Sequence, residues 1–140
     1  MMNQPQNRPQ LEPFTAEQVQ RAIREGGRAL VELAERVGRQ ARNQGLTTNQ
    51  IRNIFGLVKR IEMEMRKGSD WQHELAMLKP KMAYAAARAK DKNKKDTGAE
   101  TLARVLSLAI DEVGSDDSKF ARFVDLFEAI LAYHKAAGGR

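Results

Sequence analysis

The sequence predicts an all-α protein, a compact bundle of five or six helices. Apolar residues recur at spacings of three and four along the chain, and no stretch alternates apolar and polar residues as a strand would. Capping patterns and glycines mark helix starts and stops at intervals typical of helical bundles. With 140 residues, the chain is long enough for one core but too short for two ordinary ones.

Two segments fall outside the helical pattern. Residues 1–13 lack apolar periodicity and contain three prolines, so we expect a disordered tail that precedes a single helical domain over residues 14–137. A polar run over about residues 89–98 contains four lysines and no apolar stripe. We expect it to be a mobile loop.

The first helix is predicted to begin at Thr15, which forms a capping-box pattern with Gln18. An apolar stripe then runs from position 19 to position 37, so one long helix is expected to end at residues 43–45. Gly26-Gly27 predicts a kink or a close helix crossing. Arginines opposite the stripe alternate with glutamates, which indicates a self-paired, solvated face.

The second helix is predicted to start with another capping box, Thr47 with Gln50, and to stop at Gly68. On the side opposite its apolar stripe, cations recur every seven residues within a narrow arc that contains no acid. They are Arg52, Lys59 and Arg66, and Arg60 lies beside them. This basic row is either a phosphate-binding surface or an exposed face that keeps the protein soluble.

Pro80 predicts a helix boundary, because proline suits the first turn of a helix and disrupts a helix interior. We therefore expect a short third helix to end near Leu78 and a new helix to begin at Pro80. Tyr84 and Arg88 should share a face of that helix. With Lys79 and Lys81, its N-terminus would be suited to holding a phosphate.

The last two helices complete the bundle. Thr97 with Glu100 forms a third capping-box pattern, and the helix that follows is predicted to end at Gly114. Ser115 and the two aspartates after it should begin the last helix, residues 120–131 of which form the densest apolar face in the chain. Its phenylalanines are expected to be core residues rather than a platform for bases.

The charge balance favours an anionic partner. The 24 Lys and Arg residues against 18 Asp and Glu residues give a net charge of +6, and nucleic acid is the commonest partner of such proteins. The chain has no cysteine, which excludes disulfides and thiolate metal sites. Because it has neither an apolar run of membrane-spanning length nor a signal-peptide pattern, we expect a soluble cytoplasmic protein with no membrane partner.

Catalytic groups are scarce. The two histidines, His73 and His134, are far apart in sequence and lack neighbouring ligand patterns. Glu62 and Glu64 are two positions apart on a helix and do not face each other. Phosphate-cradling glycine motifs are also missing. The sequence therefore predicts no catalysis, no metal site and no cofactor.

Three segments, in order, resemble one family. They are residues 47–55 (TTNQIRNIF), 78–88 (LKPKMAYAAAR) and 123–135 (FVDLFEAILAYHK). Together they resemble the small helical subunit of type III-A CRISPR effector complexes, the Csm small subunit. The tail, the first helix and the lysine-rich run lie outside the resemblance, so no RNA contact carries over to them.

The resemblance implies a non-catalytic, all-helical protein that stacks in several copies beside the backbone subunits. It would line the channel that holds guide RNA and target RNA, contacting other subunits and copies of itself. Base pairing reads the sequence in such machines, so the channel needs cations that meet phosphates. The candidate RNA-binding residues are Arg52, Lys59, Arg60, Arg66, Lys79, Lys81 and Arg88.

Two alternatives remain open at this stage. A free-standing basic helical nucleic-acid-binding protein would insert base-reading side chains, and Asn49, Gln50, Arg52 and Asn53 at a helix start have suitable types. A helical structural adaptor would use its charges only for solubility. Neutralising the cations would leave the adaptor's partners and RNA affinity unchanged.

Overall fold

The computed structural model describes residues 14–92 and 97–140. That part of the chain contains six α-helices and no strand, which confirms the all-α bundle. The predicted disordered tail, residues 1–13, lies outside the described residues. The helices are α1 (Ala16–Glu25), α2 (Gly27–Asn43), α3 (Thr48–Arg66), α4 (Trp71–Lys92), α5 (Gly98–Val113) and α6 (Asp117–Ala136).

The predicted long first helix is in fact two helices, α1 and α2. The helix is interrupted at Gly26, whose φ of 65° and ψ of −149° lie in a region that favours glycine. Arg122 of α6 stabilises the end of α1, because its Nη1 donates to the backbone oxygens of Arg24 at 2.7 Å and Ile23 at 3.3 Å. A cation that binds the last carbonyls of a helix also complements its dipole.

The predicted capping box at Thr97 is wrong. The Thr97 side chain makes no capping hydrogen bond, although the residue does occupy the N-cap position of α5. Instead, the backbone oxygen of Gln44 accepts from the backbone N–H groups of Thr97 and Gly98, at 3.1 and 3.3 Å. A residue distant in sequence therefore supplies the acceptor that the local pattern was expected to provide. The capping boxes at Thr15 and Thr47 are both present.

The boundary predicted at Pro80 is also wrong, because α4 runs without interruption from Trp71 to Lys92. Proline at this position removes the hydrogen bond to the carbonyl of Ala76. Both residues lie on the exposed side of the helix, where water can satisfy that oxygen. Leu78 and Met82 anchor the helix in the core on either side of the proline. Tertiary packing thus overrides a local preference.

The continuous α4 also shortens the predicted lysine-rich loop. Residues 89–92 belong to the end of α4, and Gly98 is the first residue of α5. Residues 93–96 lie outside the described part of the chain. The expectation of a loop was therefore wrong for residues 89–92.

Helices α5 and α6 lie at the centre of the bundle. Helix α5 contacts α1, α2, α4 and α6, while α6 contacts α1, α2, α3 and α5. A close crossing of α2 and α6 occurs at Gly38, where a Cβ would lie 2.9 Å from the backbone oxygen of Ile130. The phenylalanines of α6 are buried as predicted, and Phe127 meets Phe55 of α3 edge to face with ring centroids 5.2 Å apart.

The N-cap of α6 is Asp116, one residue after the predicted start. Its carboxylate accepts from the backbone N–H groups of Ser118 and Lys119, and from the Ser118 hydroxyl at 2.7 Å. The pKa of Asp116 is lowered from its usual value, chiefly by the hydrogen bond from the Ser118 hydroxyl and then by the one from the Lys119 amide. This cap therefore stabilises the protein at neutral pH, and its contribution disappears as the pH falls through the lowered pKa.

Replacing a buried phenylalanine of α6 should destabilise the protein strongly. Phe127→Ala removes a fully buried ring that also contacts Phe55, so we expect the free energy of unfolding to fall by about 3–5 kcal/mol. The matched control is Tyr84→Ala, since that ring is 66% exposed and its loss should change stability by less than about 0.5 kcal/mol. Urea denaturation measures both. Equal effects would refute the core assignment.

Two glycine-to-alanine substitutions should change stability in opposite directions. Gly38→Ala places a methyl group against the backbone of α6 and should destabilise by about 1–3 kcal/mol. Gly56→Ala, within α3, meets no atom within 4 Å and should stabilise by about 1 kcal/mol through helix propensity. Thermal denaturation of the two variants measures these effects. The same sign for both would contradict the close α2–α6 crossing.

Candidate nucleic-acid interface

The predicted basic row lies on an exposed side of α3, but one carboxylate partly neutralises it. Glu62, just outside the arc of the row, pairs with Lys59 at 2.7 Å and with Arg66 at 4.0 Å. The Lys59 ammonium also lies 5.9 Å from the centroid of the Phe55 ring. Arg52 is exposed and makes no ion pair with any residue in the described ranges. Within the row, it is therefore the cation that can bind a phosphate without first losing an ion pair to a described residue.

Arg60 does not face the same way as the basic row. It lines a groove of about 320 Å³ between α3 and α4, and Lys81 lines the same groove from α4. Three carboxylates share this groove: Glu64, which accepts from the Ser69 hydroxyl, Asp70, which caps α4 at the amide of His73, and Glu74. Its mixed charge does not suit a phosphate bound deep inside, so Arg60 and Lys81 would meet an anion at its rim.

Lys79 points towards α5. Its ammonium pairs with the carboxylate of Asp111 at 2.5 Å, and the two side chains are 36% and 65% exposed. Ion pairs this exposed contribute about 0–1 kcal/mol, so a phosphate could replace the carboxylate as partner at little expense.

The outward face of α4 presents four residues at helical spacings of four, three and four: Met77, Lys81, Tyr84 and Arg88. We call them the outer line of α4. As predicted, Arg88 and Tyr84 share this face, and the guanidinium carbon lies 5.9 Å from the ring centroid. Because α4 does not begin at Pro80, no helix N-terminus contributes to anion binding here. The attraction must come from the side chains.

Two features of this surface are absent from the sequence prediction, in which Tyr84 is only a neighbour of the cations: the outer line of α4 and the pairing of Lys79 with Asp111. The outer line runs across Pro80, so assigning a helix boundary there concealed it. The signal was nevertheless available, because positions 77, 81, 84 and 88 have the same three-and-four periodicity as a buried stripe. The pairing of Lys79 with Asp111 joins residues 32 positions apart, which no local pattern indicates.

The cations of α1 and α2 contrast with those of α3 and α4. Arg21 pairs with Glu25 at 3.1 Å and Arg39 with Glu35 at 2.9 Å, each one turn apart on the same helix. The hydrogen bond to Glu25 raises the pKa of Arg21 further. These two pairs agree with the predicted self-paired face, but Arg24 pairs with Glu112 of α5 at 3.8 Å rather than with an acid of its own face.

The histidines lie in different environments. His73 is exposed at the groove, whereas His134 is fully buried with Nε2 at 2.5 Å from the backbone oxygen of Leu46. Within the described residues, no group of three His, Cys, Asp or Glu side chains could hold a metal ion. None of the helices in that same part of the chain has the length and apolar character needed to cross a membrane.

The described chain is thus a small, all-helical bundle with exposed cations on α3 and α4. The sequence profile of the family Csm2 Type III-A matches residues 24–140, more than four fifths of the chain. The chain therefore belongs to the Csm2 Type III-A family, the small subunits of type III-A CRISPR complexes. No match was found among curated proteins or solved structures.

Proposed function

We propose that this chain is a non-catalytic subunit that stacks in several copies along the guide and target RNA of a cytoplasmic type III-A complex. It contacts the RNA backbone as well as other subunits. One observation carries the proposal within this family: four of the seven candidate residues are exposed cations with no acidic partner in the described chain. They are Arg52, Arg60, Lys81 and Arg88.

The seven proposed RNA-binding residues divide into two groups. The four unpaired cations make the larger contribution, because binding a phosphate disrupts no existing ion pair. Lys59, Arg66 and Lys79 must first exchange a carboxylate for a phosphate. Cations that recur about every 10 Å along a helix can follow a phosphate backbone without reading its bases.

Base reading by the start of α3, the free-standing alternative, has less support. The Gln50 side chain accepts from the Thr47 amide at 2.7 Å, so the capping box already uses its oxygen. A structural adaptor would not require unpaired cations on these two helices.

The assembly itself can be tested by affinity purification of the tagged protein from its own cells, with sequencing of the recovered RNA. A large particle containing short RNAs of uniform length with repeat-derived ends would support the proposal. A small particle with heterogeneous nucleic acid would indicate a free-standing binder. Recovery without nucleic acid would indicate an adaptor.

Removing a phosphate contact should flatten the salt dependence of RNA binding. For Arg52→Ala and Lys81→Ala, we expect helix content to be unchanged and the slope of log K against log salt to decrease by about 0.7 per lost contact on single strands. Lys59→Ala should give a smaller change, because Lys59 shares its charge with Glu62. Fluorescence anisotropy over a salt series measures the slopes. If all three variants match the wild type, the proposed surface is wrong.

Removing the acid beside the basic row should strengthen RNA binding. Glu62→Gln frees Lys59 and Arg66, so the affinity should rise and the salt slope should steepen. Glu17→Gln on α1 makes the same change in net charge far from the row and serves as the control. Equal gains for the two variants would show that only net charge matters, which would argue against a localised row.

A further inference from the structure

Tyr84 is the most exposed large apolar side chain in the described chain, at 66%. Its neighbours one turn away on the helix are Pro80, Lys81, Ala87 and Arg88. The proline and the alanine are too short to cover the ring. The guanidinium carbon of Arg88 lies 5.9 Å from the ring centroid, and two thirds of the Tyr84 side chain remains exposed. An aromatic face is therefore open to solvent between two cations.

We propose that Tyr84 is a stacking platform for one unpaired nucleobase of single-stranded RNA, with Lys81 and Arg88 contacting the phosphates on either side. This inference rests on the proposed RNA-binding function and adds a base contact to its backbone contacts. Stacking accepts any base, because every base has a π face. The site would therefore increase affinity without reading sequence.

The spacing of the two cations fits one nucleotide. Lys81 lies about 4.5 Å before Tyr84 along the helix axis, and Arg88 lies about 6 Å after it. A base on the ring would thus have one long, flexible cation near the phosphate on each side. The acids nearest to the outer line on α4 are Glu74 and Asp91, beyond its two ends, and neither Lys81 nor Arg88 makes an ion pair with a residue in the described ranges. The charge of the outer line complements a polyanion.

The same features argue against a protein partner for this face. A docking helix requires a continuous apolar stripe, but the outer line of α4 alternates apolar and cationic residues. Burying Lys81 and Arg88 against an apolar partner would desolvate both charges without pairing them. A stacked base leaves the ammonium and the guanidinium at the solvated edge, next to phosphates.

The test compares two strands and three variants of the full-length protein. The strands are an oligoadenylate, called the adenosine strand, and a strand of the same length in which every nucleotide is abasic, called the abasic strand. Tyr84→Leu keeps an apolar side chain but removes the π face. We expect it to weaken binding of the adenosine strand about 5–10-fold, with an unchanged salt slope, and to leave binding of the abasic strand unchanged.

Tyr84→Trp should preserve the affinity, and its fluorescence should be quenched by the adenosine strand but not by the abasic strand. The native Trp71 is 6% exposed and supplies a constant background. The matched control is Val31→Ala on α2, which alters an exposed apolar side chain away from the outer line and should change neither measurement.

The outcomes separate this inference from the proposed function. If Lys81→Ala flattens the salt slope while Tyr84→Leu weakens both strands equally or neither, the stacking site is refuted and backbone binding stands. If no cation substitution alters the slope, the RNA-binding function fails as well. If Tyr84→Leu changes only the size of the purified complex, a protein covers the ring and the inference is wrong.

Discussion

The connection between α2 and α3 holds the bundle together through its backbone carbonyls. The backbone oxygen of Gln44 accepts hydrogen bonds from the amides of Thr97 and Gly98 at the start of α5. The Gln44 side chain accepts from the Thr101 hydroxyl at 2.6 Å. The Leu46 oxygen meets the buried Nε2 of His134 on α6. Moving this connection would leave a helix start and a buried imidazole without partners, each of which is costly. The two central helices are therefore fixed to the segment from which α3 departs.

This constraint also determines where the cations point. Helix α3 leaves the connection with Ile51 and Val58 buried, so its other side faces solvent. Helix α4 follows it and buries Trp71, Leu75 and Leu78. Once these apolar stripes are buried, Arg52 on α3 and Arg88 on α4 cannot face the core. Packing thus determines which helix faces form the candidate interface. The charge of these faces depends on which of their exposed positions are acidic.

Local signals predicted much of this fold. The capping boxes at Thr15 and Thr47 form because both partners lie within one turn, and the apolar stripes are buried as their periodicity indicated. The kink expected at Gly26-Gly27 is a full break between helices, whereas the errors at Pro80 and Thr97 share one cause, since a distant element decides both. Packing against the core keeps α4 continuous past its proline, and Gln44 replaces a local cap at α5, while Arg122 stabilises the end of α1.

In the candidate interface, too, local patterns were predicted from the sequence and contacts between distant residues were not. Helical periodicity placed Arg52, Lys59 and Arg66 on one face, but sequence could not show that Asp111 pairs with Lys79 across two helices. Spacing did not reveal that Arg60 faces a groove with three carboxylates rather than the row. Sequence thus identifies which cations are exposed, whereas the tertiary structure determines which of them are already paired.

That distinction bears on how the proposed RNA-binding surface would work. Exposed ion pairs are weak and screened by salt. Lys59, Arg66 and Lys79 can therefore exchange their carboxylate partners for phosphates at little cost in free energy. A surface built only from such contacts would release RNA readily as salt rises. The stacking contact proposed at Tyr84 would contribute affinity that does not depend on counterion release. Combining the two kinds of contact would let a subunit without a base-reading pocket retain RNA of any sequence.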